Sequence, residues 1–346
     1  MITTPMTSLE RVLCTLGFKE PDRVPFFLLL TMHGAKELGL TIKDYFSRSK
    51  NVVEGQIRLH AKYHHDCYYP FFYAGIEMEA WGGKVIFSDD GPPNSGEPII
   101  KKSSQIDTLF PPSISGNLPL LKILETIKDL KNKVGDEAPI IGVALSPFSL
   151  PVMQMGFDNY FDLMIEEPHR FERLMALNEE FCINWANAQL EAGATAICYF
   201  DPVSSTTIVT PEMYANTGYQ VAQRVIRKIK GPTATHFASG RCLKIIDQVA
   251  ETGTAIIGIS VEEDAIQIKK KCQNRLTILG NLNGIEMSQW TPKQAESKVK
   301  ELIQQVGSGG GFILSDNHGE IPFQVTEEVL LSISETVHHW GKYPLQ

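Results

Sequence analysis

The stretch "LTILGNLNGIEMSQWTPKQAESKVKELIQQVGSGGGFILSDNHGE", residues 276–320, decides the fold. It opens on an apolar, β-branched run, 276–282, and closes on another, 311–315. Between them Thr291 and Pro292 mark a helix start, the threonine as cap and the proline in the first turn. The glycines of "GSGGG", 307–311, stop that helix. They precede a strand, the wrong side for a phosphate cradle. Runs that are continuously apolar suit parallel strands buried on both faces.

The same unit repeats upstream. From residue 139 the runs are "PIIGVAL" (139–145), "ATAICYF" (194–200), "PTATHF" (232–237) and "AIIGISV" (255–261). Two more, "VPFFLLL" (24–30) and "CYYPFF" (67–72), stand in the first third. Thr210 with Pro211, and Thr326 with acids after it, open two further helices. Eight strands with helices between them predict a closed (β/α)8 barrel, a TIM barrel, as one domain over 1–346. A doubly wound open sheet competes. It would usually carry G-x-G-x-x-G after an early strand, and no such motif occurs. Residues 84–135 are expected to form a loop or hairpin insertion near the barrel mouth.

Composition narrows the function. The chain has 346 residues and a net charge of −8, which argues against nucleic acid as the main partner. Six scattered cysteines without a C-x-x-C pair read as reduced thiols, so a cytoplasmic location is expected. No signal-peptide pattern opens the chain, and no run of about 18 apolar residues predicts a membrane span.

Barrel enzymes gather their chemistry at the C-terminal ends of the strands. Those ends carry Asp201, His236, Glu262 with Glu263, Asn281 with Asn283, and Asp316 with His318. Singly, each has a plain explanation. Asp201 and the asparagines fit turns, the glutamates fit helix caps, and the histidines fit packed strand ends. On a closed barrel they converge on one mouth. The pairs His64–His65 and His338–His339 fall away from it and read as surface or packing residues.

The 276–320 stretch and the helix after it resemble the uroporphyrinogen decarboxylase superfamily, and the similarity runs from about residue 8 to the end. One branch decarboxylates a tetrapyrrole without a cofactor. Its arginine-rich segment after the first strand holds the substrate's carboxylates. That place reads "LTMHGAKELGL" here, without arginine. The resemblance is nearer the cobalamin-dependent methyltransferases, carried by "YAGIEMEAWGGKV" (73–85), "FDPVSSTTIVTPEMY" (200–214) and "GISVEED" (258–264).

That branch implies zinc held by H-x-C, a second Cys and a Glu, with a corrinoid as co-substrate. His236 matches the first ligand, Ala238 stands at the first Cys, Glu262 at the glutamate and His318 at the second Cys. The implied metal set is His236, Glu262 and His318; Cys242 is a weak substitute for the lost thiolate. A metal-free mouth stays open, with Asp316 as base or as orienter of His318.

The expected function is methyl transfer between a corrinoid and a thiol-type acceptor. Asp201, His236, His318 and Asp316 are the expected catalytic residues. Glu79, Trp81, Phe148, Asn281 and Asn283 are expected to bind substrate, with Met153 and Met155 beside them. Cofactor-free decarboxylation of a tetrapyrrole or other carboxylate, and a non-catalytic corrinoid or tetrapyrrole carrier, are the alternatives. A small thiol or carboxylate substrate and a corrinoid-carrying protein are the implied partners. The helical exterior is compatible with a homodimer.

Overall fold

The computed structural model describes residues 6–345. A short antiparallel hairpin, β1 (Val85–Ile86) and β2 (Asn94–Ser95), stands apart from the main sheet. The sheet is parallel and runs in chain order: β3 (Ile141–Leu145), β4 (Ala196–Phe200), β5 (Thr233–His236), β6 (Ile256–Gly258), β7 (Thr277–Leu282) and β8 (Phe312–Asp316). Helices fill the connections, as parallel neighbours require.

The first two predicted strands are extended staves rather than regular strands, yet they close the ring. Phe27 N–H donates to Leu314 O at 2.8 Å and Leu314 N–H to Pro25 O at 3.0 Å. Asp66 N–H reaches Phe26 O at 2.8 Å, joining stave to stave. Tyr68 N–H reaches Pro139 O at 2.8 Å and Ile141 N–H reaches Tyr68 O at 2.9 Å.

Beyond these bonds the staves splay. Pro70 has no N–H to continue a ladder. Buried side chains take over the open backbone groups. Gln56 accepts from Tyr69 N–H at 2.9 Å and donates to Leu30 O at 2.8 Å. Gln189, on the helix Pro168–Ala192, accepts from Val143 N–H at 3.0 Å and donates to Val143 O at 2.7 Å. Glu77 accepts from Leu145 N–H at 2.9 Å. Two side-chain amides and a carboxyl thus hold the seam that backbone pairing leaves open. Gln189→Leu strands two buried backbone groups. It is expected to cost about 1–3 kcal/mol for each, read as a lowered urea midpoint. An unchanged midpoint would contradict the seam.

The barrel interior draws on all eight staves. Phe27, Leu29, Cys67, Tyr69, Val143, Cys198, Ala234, Ile256, Leu279 and Ile313 form one buried cluster, which Val12 joins from the helix Ser8–Leu16. Residues of the opposite parity, such as Tyr199, Ile257 and Leu314, pack outward against the helices. That alternation fixes which strand-end residues face the mouth.

The insertion is shorter than expected. The hairpin borders the mouth, tied by Gln324 Nε2 donating to Asp90 O at 2.6 Å and Ile100 N–H donating to Gln154 O at 2.9 Å. Residues Leu118–Val134, however, form a regular helix, capped by Asn117 with a proline in its first turn. It packs its apolar face on the core and completes the second strand–helix unit. Among the described residues no helix is long and apolar enough to cross a membrane.

Candidate active site at the barrel mouth

Strand parity brings His236 into the mouth. Ala234 faces the barrel interior, so His236, two residues on, does as well. The ring is buried and stacks on Phe200 at 5.7 Å between centroids. Its Nδ1 accepts the Ala238 N–H at 3.0 Å, while Nε2 has no protein partner. Burial, and then His318 close by, lower its pKa to about 4. The imidazole is therefore neutral near pH 7.

Two glycines make room for that ring. A Cβ built on Gly258 of β6 would lie 2.5 Å from His236 Cδ2 and 2.9 Å from Cγ and Nε2. A Cβ on Gly319 would lie 3.1 Å from Phe200 and 3.4 Å from His236 Cε1. Gly319 has φ +86°, a conformation that favours glycine.

The turn after β8 thus folds across the barrel top. Asp316 Oδ2 accepts from the His318 and Gly319 N–H groups at 2.8 and 2.9 Å. Tyr69 Oη donates to Gly319 O at 3.1 Å, and Ile321 N–H to Leu29 O at 3.0 Å. Asn317 accepts from Gly284 N–H at 3.4 Å. The turn presents a half-buried His318 whose Nδ1 has no partner and whose pKa burial lowers. Asp316 Oδ1 and Asn317 Nδ2 are also buried without partners. Burial pushes the Asp316 carboxyl up to about 6, against the pull of its N–H donors. Glu320 is bonded by Thr31 Oγ1 and is pushed up to about 7 by burial, with Asp316 adding to the shift.

Polar atoms without partners are rare inside proteins and cluster where ligands bind. His236 Nε2 and His318 Nδ1 make such a pair at the end where barrels do chemistry, while Asp316, of outward parity like Leu314, bonds the backbone of the turn beside them. Asn281 also has inward parity; its Nδ2 donates to Ser260 O at 2.8 Å and joins the ends of β6 and β7.

Other expected residues lie elsewhere. Asp201 has outward parity and is buried, accepting hydroxyl hydrogens from Ser146 at 2.5 Å and Ser149 at 2.7 Å. Burial raises its pKa and the serines oppose the rise. It pins the loop after β3 to the end of β4 and does not face His236. Asn283 caps the helix Gly284–Met287. Glu79 accepts from Tyr73 Oη at 3.0 Å. Trp81 and Phe148 do not floor the mouth. Both are buried in the layer between barrel and helices, Trp81 edge-on to Phe181 and Phe148 edge-on to Tyr160. Met155 is buried in the same layer and Met153 packs against it. His65 is buried, His64 and His338 stack edge to face beyond the lower rim, and His339 bonds Glu335 O on its own helix.

The implied zinc set does not assemble. Glu262 is more than half exposed and pairs with Arg241 at 2.8 Å. Glu263 accepts from the Cys242 and Leu243 N–H groups at 2.7 and 2.9 Å. Cys242 is buried with Sγ turned to Gly258 O, and burial raises its pKa well above the usual thiol value. No group of three or more metal-ligating side chains occurs among the described residues.

Glu320, Tyr69, Phe200 and the two glycines were missed by strand-end reading. Glu320 closes the quoted "SDNHGE" turn and was legible there. The glycines carry no functional group, so only packing reveals them.

Comparisons with known proteins agree with this fold. The family described as Uroporphyrinogen decarboxylase (URO-D) matches residues 7–340. A methylcobamide:CoM methyltransferase MtaA of Methanosarcina barkeri is 30% identical over 211 residues, 60% of each chain. The match therefore spans only about 60% of that relative's length. A uroporphyrinogen decarboxylase of Actinobacillus pleuropneumoniae serotype 5b is 24% identical over 275 residues, 76% of each chain. Among solved structures, a methyltransferase from Methanosarcina mazei superposes with a TM-score of 0.82 at 18% identity, covering 96% of this chain and 98% of that one. That likeness establishes the barrel fold.

Proposed function

We infer the function from one premise: the chain belongs to the uroporphyrinogen decarboxylase family. Its relatives include methyltransferases and decarboxylases. We propose that this chain moves a methyl group between a corrinoid and a protic, thiol-type acceptor at the mouth built by His236 and His318.

The observation that carries this reading is the placement of the arginines. Arg11 and Arg23 are paired with Asp66 at the far end of the barrel. Arg58, Arg170, Arg224 and Arg275 pair with acids on the helical exterior, Arg173 bonds the Ile106 and Asp107 carbonyls there, and Arg48 and Arg227 flank the helices Ser49–Tyr63 and Gly218–Ile226. Arg241 follows β5, but it is exposed and paired with Glu262. A tetrapyrrole with many carboxylates needs fixed cationic donors, and this mouth offers carboxyls at Asp316 and Glu320 instead. The corrinoid would supply the methyl group on cobalt. The chain would orient the acceptor, exclude water and take its proton.

The test offers the chain both chemistries. Methylcobalamin with a panel of thiols is expected to give methyl thioethers, followed by cobalamin absorbance and mass spectrometry. Uroporphyrinogen is expected to lose no carbon dioxide. Decarboxylation without methyl transfer would overturn the reading. Tight corrinoid binding without either turnover would favour a carrier.

A further inference from the structure

We propose that the mouth works without a metal, and that His236 Nε2–H and His318 Nδ1 together handle an acceptor X–H acidic enough to give its proton to an imidazole, such as an aryl or heteroaryl thiol. The inference rests on the methyl-transfer reading for its substrate class, but not for its metal-free geometry.

Three observations carry it. The first is the His236 tautomer. Ala238 N–H occupies the Nδ1 lone pair at 3.0 Å, so the neutral ring carries its hydrogen on Nε2. The free edge of the ring is then a donor, whereas a metal needs a lone pair. A ring flip would sacrifice the only hydrogen bond found for that side chain. The residue that supplies this N–H is Ala238, at the place where the resemblance expects a thiolate. Ala238 brings no side-chain ligand of its own, and its backbone N–H holds the His236 lone pair.

The second observation is the fate of the remaining donors. Glu262 is held outward by Arg241, both Glu263 oxygens cap backbone N–H groups, and Cys242 is buried beneath Gly258. The third is the unpartnered Nδ1 of His318, buried close to His236 and 3.3 Å from a Cβ built on Gly284. One imidazole offers a hydrogen and the other has a nitrogen open to accept one.

The step balances without further reagents. The X–H bond breaks and its proton passes to His318 Nδ1. The freed electron pair on X forms the X–CH3 bond. A methylated corrinoid, as co-substrate, would supply the methyl group and keep the electron pair of the bond that held it, a two-electron reduction. His236 Nε2–H donates to X as its charge develops. Zinc would lower a thiol's pKa by direct coordination. One N–H donor is weaker than a bound dication, so alkyl thiols should ionise poorly in this mouth and aryl thiols well.

The experiment uses the full chain and zinc alone. After equilibration with zinc and dialysis, bound metal is counted, and ¹⁵N spectra of the histidine rings are recorded with and without zinc. The expected result is far less than one zinc per chain and an Nε2-protonated His236 that zinc does not shift. About one zinc per chain, lost in His236→Ala, would overturn the proposal. So would a His236 resonance that moves on adding zinc, or an Nδ1-protonated ring. With turnover, an aryl thiol is expected to react at least about tenfold faster than an alkyl thiol, with no loss on chelation. Equal rates, or loss on chelation restored by zinc, would count against it. If no methyl transfer occurs at all, the substrate class fails with that reading, while the zinc and tautomer results still decide the metal-free claim.

Discussion

Replacing Asp66 with alanine is expected to destabilise the protein by about 3–5 kcal/mol, the usual cost of breaking a buried ion pair from one side. The carboxylate is fully buried. It accepts from Arg11 Nη1 at 2.7 Å, Arg23 Nη1 and Nη2 at 2.6 and 2.9 Å, Phe26 N–H at 2.9 Å and Ser8 Oγ at 2.8 Å. One side chain therefore ties the helix under the barrel to the starts of both irregular staves. Without it the buried Arg23 guanidinium loses its acidic partner, while Arg11 keeps Asp22 at 2.6 and 2.8 Å. The urea midpoint reads the effect, and Asp66→Asn, which keeps the shape, should recover only a small part. Midpoints equal to the wild type would show that the network adds nothing.

The same group sets an acid limit. Burial alone would raise the Asp66 pKa, but Arg23 and Arg11 more than reverse this and hold it below the ordinary carboxylate value. A depressed folded pKa stabilises fully above the unfolded value and loses that contribution as pH falls through the folded one. Acid unfolding should therefore steepen below about pH 4, where an unfolded aspartate begins to protonate. Asp66→Ala should flatten that limb. A variant that keeps the full acid slope would contradict the assignment.

Gly258→Ala is expected to lower kcat/KM for methyl transfer about a hundredfold, the scale set by misplacing a reacting group by about 1 Å. The new Cβ would stand 2.5 Å from His236 Cδ2, and real atoms do not approach so closely. Phe200 and Gly319 close the other sides, so the ring leaves its hydrogen bond to Ala238. Overpacking of this kind costs about 1–3 kcal/mol, which a protein of this size usually survives. The decisive control is the His236→Ala background. There Gly258→Ala should add almost nothing, because the group it displaces is gone. Additive losses would mean that Gly258 acts on something other than His236.

The strands from β3 onward were legible because parallel strands buried on both faces leave unbroken apolar runs. The first two staves were legible as runs but not as irregular. Their seam is held by Gln56, Gln189 and Glu77, two glutamines and an acid that read as ordinary helix residues. The helix Leu118–Val134 was hidden by the proline- and glycine-rich stretch before it, although Asn117 marks its start. At the mouth, His236 and His318 followed from strand ends alone. Asp201 and Glu262 did not, because a strand end fixes a position and not a direction. One more residue of parity turns Asp201 outward, and a nearby arginine draws Glu262 into solvent. Trp81 and Phe148 illustrate the commoner fate of large apolar side chains, which fill cores.

The claim on which the account turns is that the His236–His318 mouth accepts a methyl group's new owner and removes its proton. A single-turnover reaction of methylcobalamin with an aryl thiol tests it most directly, with the thioether weighed by mass spectrometry for wild type, His236→Ala and His318→Ala. The account predicts stoichiometric thioether from the wild type and rates about 10²–10⁴-fold lower in each variant, the range for losing a positioned proton acceptor or donor. Folded variants that react as fast as the wild type, or a wild type that yields no thioether while releasing carbon dioxide from uroporphyrinogen, would contradict it.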